Sequence, residues 1–143
     1  MNEQKSNVNK NKEYSDNGDY EYKWKNKKNY PMVLELFKLI KHSISNNITL
    51  FYNKKYIAVG FFEKNQAEGF VRFTPSNDDF LIRLKIPQSI EIDENIKNAG
   101  LKLGKYQEDF GGYYRIYLSN NDISNRKNIL IELIKIAYLK YRM

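Results

Sequence analysis

The sequence predicts an α+β domain: a four- to five-stranded antiparallel sheet flanked by an N-terminal helix and a long C-terminal helix. Three observations carry this. Residues 69–74, 79–86 and 113–118 alternate branched or aromatic side chains with basic ones, the period of a strand. Residues 31–45 and 129–141 repeat apolar side chains every three or four positions, the period of a helix face. The chain of 143 residues is the size of one domain. Such a domain buries roughly two-thirds of its unfolded surface without a disulfide or metal staple.

Taken in order, residues 1–28 read as a flexible polar and basic tail and residues 29–143 as the domain. Residues 5–12 have no periodicity and almost no apolar content, so disorder is expected there. From Tyr20 to Lys28 rings alternate with charges. This segment is either an arm that stacks on bases, or a pin in which Tyr20, Tyr22 and Trp24 hold the tail to the domain as an added strand or wrap. The first helix starts at Pro31, whose missing N–H costs nothing in a first turn. Met32, Val33, Leu36, Phe37, Ile40 and Ile44 form its stripe, and His42 lies off it, at the surface.

Residues 48–62 read as one strand, or as two with a bend at Asn53-Lys54-Lys55. Ala58 and Gly60 are small, so a helix or a ligand is expected to pack closely over them. Glu63-Lys64-Asn65 and Pro75-Ser76-Asn77-Asp78 are turns, and Pro87 ends the strand before it. Residues 89–98 are acidic, with a helical turn at 93–97. Gly111-Gly112 is either a phosphate-approach loop or a tight turn; no helix follows it, so it is neither a P-loop nor a dinucleotide fingerprint. Ser119-Asn120-Asn121-Asp122 matches a capping box. In the closing helix Leu130, Leu133, Ile134, Ala137, Tyr138 and Tyr141 mark the buried face. Ile129, Ile131, Ile136 and Leu139 widen the apolar arc, as in a deeply buried helix or one that docks on a partner.

Strand alternation separates two faces. Val71, Phe73, Phe80, Ile82, Leu84, Ile86, Tyr114, Ile116 and Leu118 share the buried one. Phe70, Arg72, Leu81, Arg83, Lys85, Tyr113, Arg115 and Tyr117 share the other, a basic surface interleaved with rings. The net charge is +7 and the pI about 9.4, which favours acidic partners, nucleic acid foremost. Lysine excess alone is weak support, because Lys, Asn, Ile and Tyr dominate throughout, as an AT-rich genome encodes. Arginine says more: three of the five (Arg72, Arg83, Arg115) sit at strand positions of matching parity.

Other chemistries are poorly served. With no cysteine there is no thiol catalysis, disulfide or cysteine-type zinc site, which fits a reducing compartment. The polar start resembles no secretory signal, and no apolar run approaches the ~20 residues of a membrane span. A cytoplasmic protein with no membrane partner is expected. The single His42 has no carboxylate nearby in sequence, so neither a Ser–His–Asp arrangement nor a histidine metal site is expected. Asp78/Asp79, Glu91/Asp93/Glu94 and Glu108/Asp109 are carboxylate groupings. Only Asp79 with Lys85 approaches a restriction-type nuclease pattern, and there Arg83 and Leu84 stand where its second acid belongs. No catalysis, metal or cofactor is expected.

Four stretches together resemble a family: Asn53-Lys54-Lys55-Tyr56-Ile57-Ala58, residues 80–87, Phe110-Gly111-Gly112-Tyr113-Tyr114-Arg115-Ile116 and the closing helix. The order is similar to a small prokaryotic domain described as "predicted transport protein", of unknown function, found alone or beside restriction-type nuclease modules. The family tends to carry a Gly-His-Trp-Gly-like turn where this chain has residues 106–112, from Tyr106 to Gly112. The resemblance implies an α+β domain associated with nucleic-acid or defence systems and supplies no catalytic residue. Two functions follow as expectations. One is a non-catalytic nucleic-acid-binding module using Arg72, Arg83, Lys85 and Arg115 on phosphates and Tyr113 and Tyr117 on bases. The other is a protein-interaction or homodimerisation domain using Ala58, Gly60, Ile131 and Leu139.

Overall fold

The computed structural model of the chain describes residues 17–61 and 69–142. The stretch 5–12 and the turn Glu63-Lys64-Asn65 lie outside them. The described residues form helices α1 (Asn17–Lys25), α2 (Tyr30–Ser43), α3 (Ile90–Asn98), α4 (Asn120–Asn125) and α5 (Lys127–Arg142). They also form strands β1 (Thr49–Tyr52), β2 (Ile57–Gly60), β3 (Val71–Pro75), β4 (Phe80–Leu84), β5 (Lys102–Leu103) and β6 (Tyr114–Leu118). All pair antiparallel in one sheet, in the order β1-β2-β3-β4-β6-β5. The fold is α+β as expected, with six strands where four or five were expected. The added one is the two-residue β5, too short to show a period of its own.

Helices α2 and α5 pack on each other and on β3, and α5 also meets β4. The nine apolar residues assigned to the inner face are all buried in one core with Leu36, Ile40, Leu130 and Ile134. Burying a side chain of this kind stabilises the fold by about 1.5–3 kcal/mol. The wide arc of α5 is largely used within the chain. Ile129, Ile136, Tyr138 and Tyr141 pack against the core, Ile131 is half-buried, and Leu139 is 52% exposed.

Three local readings change. Residues 17–25 are helical where an added strand or wrap was expected, and Trp24, with Tyr20 beside it, pins them to the domain. Tyr20 and Trp24, four apart, turn inward, Tyr22 is 71% exposed, and Glu21 pairs with Lys25 at 2.7 Å. Trp24 is buried in the core and donates from Nε1 to the Asn53 carbonyl at 2.7 Å. Phe70 leaves the basic face. The positive φ of Gly69 turns the chain before β3 begins, and Phe70 packs on Tyr138 and Tyr141 of α5 with ring centroids 5.5 and 5.6 Å away. A Cβ at Gly69 would run into the Val59 carbonyl, so glycine is required there. The acidic segment after Pro87 is a full helix, capped by Ser89, whose Oγ accepts from the Ile92 N–H at 3.1 Å. The capping box holds: Asp122 accepts from the Ser119 N–H at 2.8 Å and from its hydroxyl at 3.1 Å. Arg126 then joins α4 to α3, donating to Asp122 at 3.0 Å and to the Ala99 carbonyl at 2.8 Å.

Tyr114 ties α3 to the sheet. Its hydroxyl accepts from the Ser89 N–H at 2.9 Å and donates to Asp93 at 2.6 Å. Burial, then the bond to Asp93, pushes Tyr114 up to about 12. Burial and the Tyr30 hydroxyl at 2.6 Å also raise Tyr52. A raised pKa in the fold means stability that is complete below the ordinary tyrosine value of about 10 and lost as pH climbs through the folded value. Urea midpoints should therefore fall between pH 10 and 12. Tyr114→Phe should cost about 1–3 kcal/mol at neutral pH and make that alkaline decline shallower; an unchanged decline would remove Tyr114 as a contributor.

Candidate functional site

One cross-sheet row runs through the register on the side away from α2 and α5. Phe51 pairs with Ala58, Ala58 with Arg72, Arg72 with Arg83 and Arg83 with Arg115, while the Gly104 N–H donates to the Arg115 carbonyl at 2.7 Å. Directly opposed residues on neighbouring strands point to the same face about 5 Å apart. Three guanidinium groups thus come from three adjacent strands.

Rings hold them. The Arg72 guanidinium lies between the Tyr56 and Tyr113 rings, 4.2 and 4.5 Å from their centroids. Lys85 Nζ stands 5.9 Å from the Tyr113 centroid, and Arg115 and Lys102 stand 6.0 and 5.6 Å from that of Tyr117. Arg83 Nη1 donates to the Thr74 hydroxyl at 3.2 Å, and Arg115 Nη2 to the Tyr117 hydroxyl at 3.1 Å. The Nε–H groups of Arg83 and Arg115 are buried and have no acceptor among the described residues. No carboxylate among the described residues pairs with either side chain. Burial, then the positive charges of Arg115 and Arg72, lower the Arg83 pKa below its ordinary value. Positive charge is therefore concentrated on Arg83 and Arg115 with no carboxylate among the described residues beside it.

All six predicted residues are therefore gathered, at depths the alternation did not convey. Arg72 is only 8% exposed and Tyr113 is fully buried, so Tyr113 supports Arg72 and does not present a ring to a base. Arg83, Lys85, Arg115 and Tyr117 are half-buried and reachable. Tyr56, Thr74 and Lys102 were missed. Parity with Ala58 and Arg72 marks the first two, whereas Lys102 joins only through β5. Gly111-Gly112 is a turn: both have positive φ, and a Cβ on Gly112 would strike the Tyr106 hydroxyl.

The other candidates do not converge. Ala58 is buried beside Arg72 and is approached by Gly69, where a helix or a ligand was expected. Gly60 is also buried, while Ile131 and Leu139 belong to α5 across the sheet, so these four form no single surface. Asp79 is tied to Ser76 in the turn before β4, and Lys85 follows that strand, on the order of 20 Å away if extended. They cannot share a metal. Among the described residues no three His, Asp or Glu side chains are grouped to hold one. A groove of about 540 Å³ between α2 and α4, lined by Glu35, Lys38, His42 and Ile123 among others, shares no residue with the arginine row. No helix among the described residues is long and apolar enough to cross a membrane. Comparison with protein-family models, curated proteins and solved structures finds no significant match to this chain.

Proposed function

We propose that this chain is a non-catalytic nucleic-acid-binding module that takes phosphates on the basic face of its sheet. The observation that carries the reading is the row Arg72–Arg83–Arg115 on three neighbouring strands, with no carboxylate among the described residues pairing Arg83 or Arg115. Arg83, Arg115 and Lys85 make the phosphate contacts, Arg72 supplies fixed positive charge, and the half-buried Tyr117 is the ring available to a base. A nuclease or defence setting is what the family resemblance suggests. The protein-interaction reading now rests on Ile131 and Leu139 alone.

Salt tests the reading. Three phosphate contacts to a single strand predict that affinity falls roughly 20-fold between about 50 and about 200 mM monovalent salt. Fluorescence anisotropy with labelled single- and double-stranded oligonucleotides measures it. Absence of binding at the lower salt would retire nucleic acid as the ligand.

A further inference from the structure

Resting on that reading, we infer that Arg83 and Arg115 form a seat for one doubly charged phosphate, the terminal phosphomonoester of a nucleic-acid strand. An internal phosphodiester carries one negative charge, whereas a phosphomonoester carries about −1.5 to −2 at neutral pH and offers three strong acceptor oxygens. The pair calls for that ligand on three grounds.

The first is charge. Two guanidinium groups on directly paired strand positions repel each other, and Arg72 adds a third positive charge on the next strand. One dianion between Arg83 and Arg115 cancels their two charges at a single point. The second ground is the donor set. The buried Nε–H groups of Arg83 and Arg115 have no acceptor among the described residues. The Thr74 and Tyr117 hydroxyls each already accept from a guanidinium, which leaves each its own proton to donate. These donors, carried by two directly paired strand positions and their hydroxyl neighbours, suit an acceptor-only group with several oxygens, and guanidinium forks match phosphate geometry. The third ground is depth. Both side chains are half-buried at the level of the sheet, beside a wholly buried Tyr113. A strand end descends to that level more readily than the rigid backbone of a duplex.

The test compares short single-stranded oligonucleotides of one sequence bearing a 5′-phosphate, a 3′-phosphate or neither, titrated into the native chain by anisotropy. One added charge-assisted contact gives about tenfold tighter binding of a phosphorylated end. In Arg83→Lys/Arg115→Lys, which keeps charge and loses the forks, that preference should vanish while most of the remaining affinity persists. Equal affinity of the native chain for all three oligonucleotides overturns the inference and leaves the nucleic-acid reading standing. Inorganic phosphate, added against chloride at matched ionic strength, separates the two ideas. A rise in melting temperature that the double lysine variant lacks, without oligonucleotide binding, supports the phosphate seat and removes nucleic acid. Neither effect overturns both.

Discussion

A chain carrying Arg83→Glu and Arg115→Glu should bind single-stranded oligonucleotides at least about 100-fold more weakly at low salt, yet remain folded. Hydrogen bonds to charged groups contribute about 1.5–3 kcal/mol each, so losing two, before counting the reversed charges, already exceeds this factor. Folding is spared because the row is strained electrostatically in the free protein. Arg83 is held below its ordinary pKa by burial and by its two arginine neighbours; acids at 83 and 115 exchange one directly opposed like-charge pair for another, while the acid at 83 turns the repulsion from Arg72 into attraction. The variant's urea midpoint should equal or exceed that of the native chain. Anisotropy and urea denaturation together decide the matter. Undiminished binding would move the ligand off this face, and a large loss of stability would show that the arginines serve the fold.

The second large effect is expected far from the row. Trp24→Ala should cost about 3–5 kcal/mol, the range for truncating a buried large aromatic side chain. Against a typical total of about 5–15 kcal/mol this is a severe lesion. Trp24 is 5% exposed, packs in the main core and bonds the Asn53 carbonyl. A urea midpoint within experimental error of native would mean that α1 is not part of the cooperative unit.

Trp24 also marks where the sequence was hardest to read. Rings at 20, 22 and 24 alternate with charges and imitate a strand, while Tyr20, Trp24 and the Glu21–Lys25 pair satisfy a helix equally well. Only the docking of one ring into the core decides between them, and that is a tertiary event. The central strands were legible because a period of two is strict: Val71, Phe73, Ile82 and Ile116 could only turn together, and Arg72, Arg83 and Arg115 had to turn the other way. Phe70 broke that rule because the strand begins one residue later, after a glycine with positive φ. Parity assigns a face and says nothing of depth. Tyr113 therefore shares the basic face yet is fully buried, since Arg72 and Lys85 close over its ring. Lys102 escaped notice because a two-residue strand has no pattern and owes its place to pairing with β6.

The sheet is open, and its two borders are guarded differently. At one border stands β5, only two residues long, with the exposed Lys102 in it and the exposed Lys105 just after it, which gives an incoming strand little to extend. At the other stands β1, the uncharged run Thr49-Leu50-Phe51-Tyr52, with α1 packed against it and bonded to the turn that follows. Such a run has the composition of a segment that templates further strands. A proteolytic cut or a substitution that frees α1 would therefore do more than loosen the fold: it would strip the apolar run of β1 of the helix packed against it.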